Sequence, residues 1–396
     1  MRVAVVGGAT AGAASALLLA RDGHEVTVFE RVSEPGAVGA GILLQPLGQR
    51  VLASLGLADE LAARSAPIRA IDARTRSGRR VLDFGYRAVD PQASGWGVHR
   101  GSLFDLLWGA LAPAGVATET GVDVRGAALV DGRWFLATGS GERGPFDLLV
   151  GADGARSRIR AWSGLAIKDA GYPYGAIWAI VPDPEGLAGD VLSQVYDGTR
   201  ITLGVLPMGV AQASLFWSIR SRRIEAALEA GPEAWIAVAA PYAGRLRPLV
   251  GRAGETGILG ARYRDVVVRS PVRVVDDVGV VLVGDAAHAM SPQLGLGASL
   301  ALADARTLAA SLRAHPRRLG DALAGHARAR AAHVRYYTWC SRLMTPVFQS
   351  DLVPIGWARD ALFGPVGRIP WVRRQFVTTL MGIRTSPWTV LRDRPG

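Results

Sequence analysis

One cysteine, Cys340, and one lysine, Lys168, stand in a chain of 396 residues. A lone cysteine excludes intramolecular disulfides and cysteine-based metal clusters, and it suits a reducing, cytoplasmic setting. No metal site is expected. Low-complexity tracts and internal repeats are also absent, which removes disordered and solenoid architectures. Long apolar runs are scarce. The uncharged stretch 201–219 is long enough to raise a membrane span, but Pro207-Met208-Gly209 interrupts it, so it reads as two strands joined by a turn. Met1-Arg2-Val3-Ala4-Val5-Val6 enters a strand at once, and no leader segment is expected before it.

Acidic charge is in deficit. Lysine and arginine number 45 against 34 acidic residues, a net charge of +11, and arginine supplies all the positive side chains but one. These arginines are scattered, with no dense basic run and no interleaved aromatic platform, so a nucleic-acid partner is not expected. A basic surface of this kind suits anionic small molecules.

What is present is a set of glycine-and-aspartate corners, each following a short apolar run. The first is Gly7-Gly8-Ala9-Thr10-Ala11-Gly12 after Val3–Val6, leading into an alanine-rich helix over 11–22 and a second strand over 25–29 closed by Glu30. A pyrophosphate needs free backbone N–H groups at a helix start, where the dipole is positive. Gly7 permits the tight turn, Gly12 allows close helix–strand packing, and an acid about twenty residues on can bind a ribose, the position of Glu30. The spacing is that of a dinucleotide fingerprint with Ala9 at its second glycine. The second corner is Gly151-Ala152-Asp153-Gly154 before a basic helical segment, where Asp153 could cap the helix that follows. The third is Gly284-Asp285-Ala286-Ala287-His288, with Pro292 and Gly295-Leu296-Gly297-Ala298-Ser299 opening a helix over 298–312. Asp285 suits a polyol hydroxyl, and the N–H groups of 295–299 suit a negatively charged ring edge.

In this order and at these separations the corners resemble the group A flavoprotein monooxygenases, the family of para-hydroxybenzoate hydroxylase and the ubiquinone-type hydroxylases. Val38-Gly39-Ala40-Gly41-Ile42-Leu43-Leu44-Gln45-Pro46 and Val98-His99-Arg100-Gly101-Ser102-Leu103 strengthen the likeness, which extends to about residue 340. The resemblance implies an α/β fold: an FAD-binding, Rossmann-like domain of the glutathione-reductase type, an inserted mostly β substrate domain, and a C-terminal helical segment. It implies FAD held by Gly7, Gly8, Ala9, Ala11, Gly12, Glu30 and Arg31 at its ADP half. Arg100 would reach the phosphate and ribityl region, and Asp285 the ribityl chain. Pro292, Gly295, Gly297 and Ala298 would border the isoalloxazine. Asp153 would support both FAD and NAD(P)H, the latter a transient co-substrate. The implied reaction consumes O₂ and hydroxylates or epoxidises a small aromatic or apolar substrate, with oxygen activated at C4a of the reduced flavin. Three positions beside the ring depart from the family pattern: Leu47, Leu296 and Ser299.

The implied division assigns 1–69, 96–165 and 271–333 to the FAD domain, 70–95 and 166–270 to the substrate domain, and 334–396 to the helical cap. Strands are expected over 174–181, 191–196, 201–206 and 211–219, helical patches over 222–229 and 232–239, and 70–89 in the same sheet. Pocket candidates are Trp178, Gln194, Tyr196 and Phe216 on one wall and Gln45, Pro46 and Pro292 opposite. Alternation puts Phe216 and Trp217 on opposite faces. No histidine lies between Arg100 and His288, so the general base is unassigned, although Tyr172, Tyr174, Tyr196, Tyr242 and Tyr263 offer phenols. In the C-terminal segment, Leu380-Met381-Gly382 could touch a membrane surface. A monomer or a homodimer fits equally. Three other readings stay open: an FAD-dependent dehydrogenase or reductase, a flavin halogenase using Lys168, and a catalytically silent ligand-binding relative.

Overall fold

The computed structural model describes residues 1–36 and 39–391; Val38 lies outside them. The apolar runs before the three corners become neighbouring parallel strands. Val6 pairs with Gly151, and Gly151 with Leu282, so all three corners leave the same edge of one sheet. That sheet runs Val272–Val275, Val278–Leu282, Leu148–Gly151, Arg2–Val6, Glu25–Glu30, Ala117–Thr120, with only the first pair antiparallel. Its three central strands, Arg2–Val6, Leu148–Gly151 and Val278–Leu282, are buried on both faces, which is why they read as unbroken apolar runs. Val3 and Val5 face helices Thr10–Arg21 and Gly297–Ala314, while Ala4 and Val6 face Trp134, Leu136 and Phe146. The latter belong to a three-stranded antiparallel sheet, Val124–Val130, Arg133–Thr138 and Gly141–Phe146, which the sequence pattern had not indicated.

A second, seven-stranded sheet carries the middle of the chain. Its order is Leu259–Val268, Ala166–Pro182, Gln212–Arg220, Ile201–Met208, Val191–Asp197, Ala70–Thr75, Arg80–Gly85. The stretch 201–219 is a pair of antiparallel strands, but its turn falls later than expected. Pro207 and Met208 remain in the strand, and Val210 and Ala211 take positive φ values of 61° and 50°. The two helical patches form one element, Ile224–Ala239, broken at Gly231 (φ 81°) before Pro232. Its inner side packs on Ile177, Leu203, Leu215 and Trp217, which covers one face of the sheet and leaves the other toward strands Gly41–Leu44 and Gly95–His99.

Helices Leu319–Phe348, Val353–Gly367 and Pro370–Leu380 close the structure. The first spans 30 residues, and residue 334 falls inside it. Leu380-Met381-Gly382 turns inward instead of outward. Met381 is buried and accepts a hydrogen bond from the Leu47 amide at 3.2 Å, and a Cβ at Gly382 would meet Leu47 and Leu296 at about 3 Å. No helix among the described residues is long and apolar enough to cross a membrane.

Candidate active site

The first corner is a turn that only glycine can make. Gly7 has φ 98°, and a Cβ there would sit 2.5 Å from the Ala152 carbonyl oxygen. A Cβ at Gly12 would sit 1.8 Å from the Gly7 carbonyl oxygen. Gly8 lies under the Trp108 ring of helix Arg100–Gly109, 2.2 Å from where its Cβ would be, so the helix that begins at Arg100 is packed on this turn. Ala9 caps helix Thr10–Arg21 without a side-chain acceptor, and the first turn has no acid. Its leading N–H groups are therefore available to an anion. Glu30 accepts from the Gly8 amide at 2.9 Å and the Val32 amide at 3.1 Å. Arg31 beside it is exposed, as is Arg100, whose side chain lies across Gly39.

The other two corners meet the first. A Cβ at Gly284 would contact Ala11 at 2.9 Å and Ala301 at 3.2 Å, and Gly12 is equally close to Ala152. The Asp285 carboxylate is exposed between buried neighbours and faces Gly297, the first residue of helix Gly297–Ala314. Like the first helix, this one has neither a side-chain cap nor an acid in its opening turn. Asp153 behaves differently. Its carboxylate accepts from the Ser157 hydroxyl at 2.5 Å and the amides of Arg158 and Ile159 at 2.7 and 3.1 Å, which braces the start of helix Arg158–Ser163, while Ser157 is the N-cap and accepts from the Arg160 amide at 2.8 Å.

Gln45 is fully buried just before helix Pro46–Leu55. Its amide nitrogen of the backbone donates to Ser299, its Oε1 accepts from the Tyr86 hydroxyl at 2.7 Å, and its Nε2 has no partner. That nitrogen lies 4.0 Å from the Cβ position of Gly295. A buried amide donor left unpaired costs about 1–3 kcal/mol, so it fits a site built around an acceptor-rich group. Leu43 lies 3.7 Å from that same Gly295 position, and Pro292 is exposed at the start of the short turn Pro292–Leu294.

Across from these residues, Gln194, Gly204, Phe216 and Trp178 fall in one register row of the second sheet, on the face opposite Trp217. The Phe216 ring lies over Gly204, where a Cβ would meet it at 1.9 Å, and tilts against Trp178 at 5.1 Å. Phe216 packs with Leu43, Leu206 and Leu380. Tyr196 is set apart. It donates to Gln194 at 2.6 Å but is buried beneath Phe348 and Arg359. Burial raises the phenols of Tyr172, Tyr174, Tyr196, Tyr242 and Tyr263, so none is an ionised base near neutrality. Lys168 is bound to Asp265 at 2.5 Å, and Arg342 shares that carboxylate, which removes the lysine a halogenase would need.

One buried group was not foreseen. Asp304 lies under the third corner, where Oδ2 accepts from the Gly284 amide at 2.8 Å and from His288 Nε2 at 2.6 Å, and Oδ1 accepts from Arg330 Nε at 2.6 Å. Arg330 also donates to His333 Nδ1, so the His333 proton sits on Nε2, which donates to the Gly382 carbonyl at 2.8 Å. Burial alone would raise the Asp304 carboxyl, but His288 and Arg330 outweigh it and hold it below the usual carboxylate range.

The profile of a family described as an FAD binding domain matches residues 1–335. A 3-amino-4-hydroxybenzoate 2-monooxygenase of Streptomyces cremeus is 32% identical over 80% of this chain and 79% of its own length. A ubiquinone hydroxylase of Rhodospirillum rubrum is 28% identical over 96% of this chain and 89% of its own. The solved structure of Klebsiella pneumoniae HpxO with FAD and uric acid superimposes with a TM-score of 0.79 at 22% identity, covering 96% of this chain and 97% of that one. The fold is thus shared at low identity, while the sequence match carries the family and its cofactor. The chain belongs to the FAD-dependent monooxygenases related to para-hydroxybenzoate hydroxylase.

Proposed function

We propose that this flavoenzyme uses NAD(P)H and O₂ to oxygenate a small aromatic or apolar molecule held between the Phe216–Trp178 wall and the Gln45–Pro46 helix start. The observation that carries the reading is the meeting of three strand-end corners beside a buried amide, Gln45 Nε2, that lacks an acceptor. Bound FAD supplies hydride acceptance and oxygen activation.

The residues divide the binding work. The turn of Gly7, Gly8, Ala9, Ala11 and Gly12 presents the free N–H groups that open helix Thr10–Arg21 to the pyrophosphate, and Glu30, flanked by Arg31, holds the adenosine ribose. Asp285 takes a ribityl hydroxyl. Pro292, Gly295, Gly297 and Ala298 border the ring, and Gln45 Nε2 donates to its polar edge. Arg100 offers a positive charge to the FAD phosphates and to NAD(P)H. Asp153 acts through the turn it fixes, because its carboxylate is already engaged. Gln194 presents a polar group at the margin of the aromatic wall. In this reading 1–69, 96–165 and 271–333 bind FAD, 70–95 and 166–270 bind substrate, and 334–396 cover the pocket. The setting is cytoplasmic, with the protein a monomer or homodimer.

A panel of phenols, quinolones and polyketide-like aromatics, scored by NAD(P)H oxidation, oxygen uptake and product mass, tests this. Substrate-triggered flavin reduction with an oxygen atom in the product is expected. Reduction that no candidate accelerates, with no oxygenated product, would point to a reductase instead.

A further inference from the structure

The four tryptophans most open to solvent, Trp339, Trp357, Trp371 and Trp388, are 55–81% exposed and all lie in the C-terminal helices and the tail after them. Leu343 and Leu362 are more than half exposed beside them in the sequence. Apolar surface concentrated in this way marks a site of interaction.

Helix Val353–Gly367 is inside out. It buries an arginine and displays a tryptophan, the reverse of an ordinary amphipathic surface helix. Arg359 is enclosed, donating to the Val347 and Gly198 carbonyls at 3.1 and 2.9 Å and stacking 4.6 Å over Tyr196. Gly356 fits against Gly198 and Thr199. On the outside stand Trp357, 68% exposed, and Leu362, 58% exposed.

The free charge that this segment contributes has one sign. From residue 335 to 391 the only acids are Asp351 and Asp360. Asp351 is held by Arg200 and Arg220, and Asp360 by Arg359. Arg335, Arg368, Arg373 and Arg374 are exposed and have no acidic partner among the described residues. A second copy is a poor occupant, because a two-fold interface would set these arginines against themselves. Tryptophan rings at headgroup depth with arginines reaching phosphates suit an anionic bilayer.

We propose that the outer face of the C-terminal helices docks on an anionic lipid bilayer surface. The helix that carries Trp339 outward ends inward at Phe348, against Tyr196, which anchors the C-terminal helices to the second sheet.

The test is co-sedimentation of the FAD-loaded protein with phosphatidylcholine vesicles, with and without phosphatidylglycerol. Binding at least about tenfold stronger to the anionic vesicles is expected, weakening at high salt. The triple variant Arg368→Glu, Arg373→Glu, Arg374→Glu and the pair Trp357→Ser, Trp371→Ser should each lose about tenfold or more, with flavin content and vesicle-free activity unchanged. Protein left in the supernatant with both vesicle types, or equal salt-independent binding to both, overturns the proposal. So does a light-scattering dimer that the tryptophan pair dissociates, which would assign the face to a second copy. The wild-type comparison decides the matter even where a variant fails to fold.

Discussion

Asp304 fixes Gly284 in place: the glycine amide donates 2.8 Å to a carboxylate twenty residues downstream, at a backbone position with φ 60°. The same carboxylate binds His288 and Arg330, so one buried charge sets the turn that presents Asp285.

Asp304→Asn should therefore act on both stability and cofactor. It leaves the Arg330 guanidinium buried without its counter-charge, at a cost of about 3–5 kcal/mol. Urea unfolding with and without FAD measures it. A variant as stable as the parent, with equal flavin affinity, would show that Asp304 does not hold the corner.

Burial pushes the His326 imidazole down to about 4 and that of His333 down to about 3, the latter helped by Arg330, from an ordinary 6.5. Below pH 6.5 the unfolded chain takes up protons that the folded chain refuses, so stability falls as pH falls from about 6.5 toward 4. The slope is at most about 1.4 kcal/mol per pH unit for each ring. Melting temperature across that range should drop, and His333→Asn should flatten the drop. An identical pH profile in the variant would contradict this.

Gly12→Ala should give colourless protein. The added Cβ would meet the Gly7 carbonyl oxygen at 1.8 Å, a backbone atom that cannot swing aside. Flavin absorbance after purification and reconstitution reads the outcome, and stoichiometric FAD would refute the placement of the pyrophosphate.

Asp285→Ala should weaken FAD binding about ten- to a hundredfold, the loss of one or two hydrogen bonds to a charged group. Because its carboxylate is exposed and accepts no hydrogen bond among the described residues, the fold should be preserved. Fluorescence titration of apoprotein with FAD separates this from the Asp304 variant, in which stability falls as well.

Gly204→Ala should displace the Phe216 ring without touching the cofactor. A raised KM for the aromatic substrate with normal flavin content is expected. Unchanged kinetics would move the substrate away from this wall.

The corners were legible because each follows a short apolar strand and because glycine and aspartate are the residues such turns require. Their meeting in space followed from strand pairing at Val6, Gly151 and Leu282. Asp304, Arg330 and His333 were not legible: each looks like an ordinary helix residue, and apart from the Arg330–His333 contact their partners lie 16–49 residues away. The departures Leu47 and Leu296 could be seen, but not their reason, which is that Gly382 packs on both. The sheet over 124–146 was hidden because its outer strands are largely exposed and mixed with turn residues.

The family match stops at residue 335, yet helix Leu319–Phe348 passes through that point unbroken. A polypeptide shortened to the matched length would lose the Gly382 carbonyl that receives His333, and Tyr337 and Phe348 with it. The end of the profile match is thus not a limit of folding, and trimming to that length would uncover the very floor on which Leu47 and Leu296 rest.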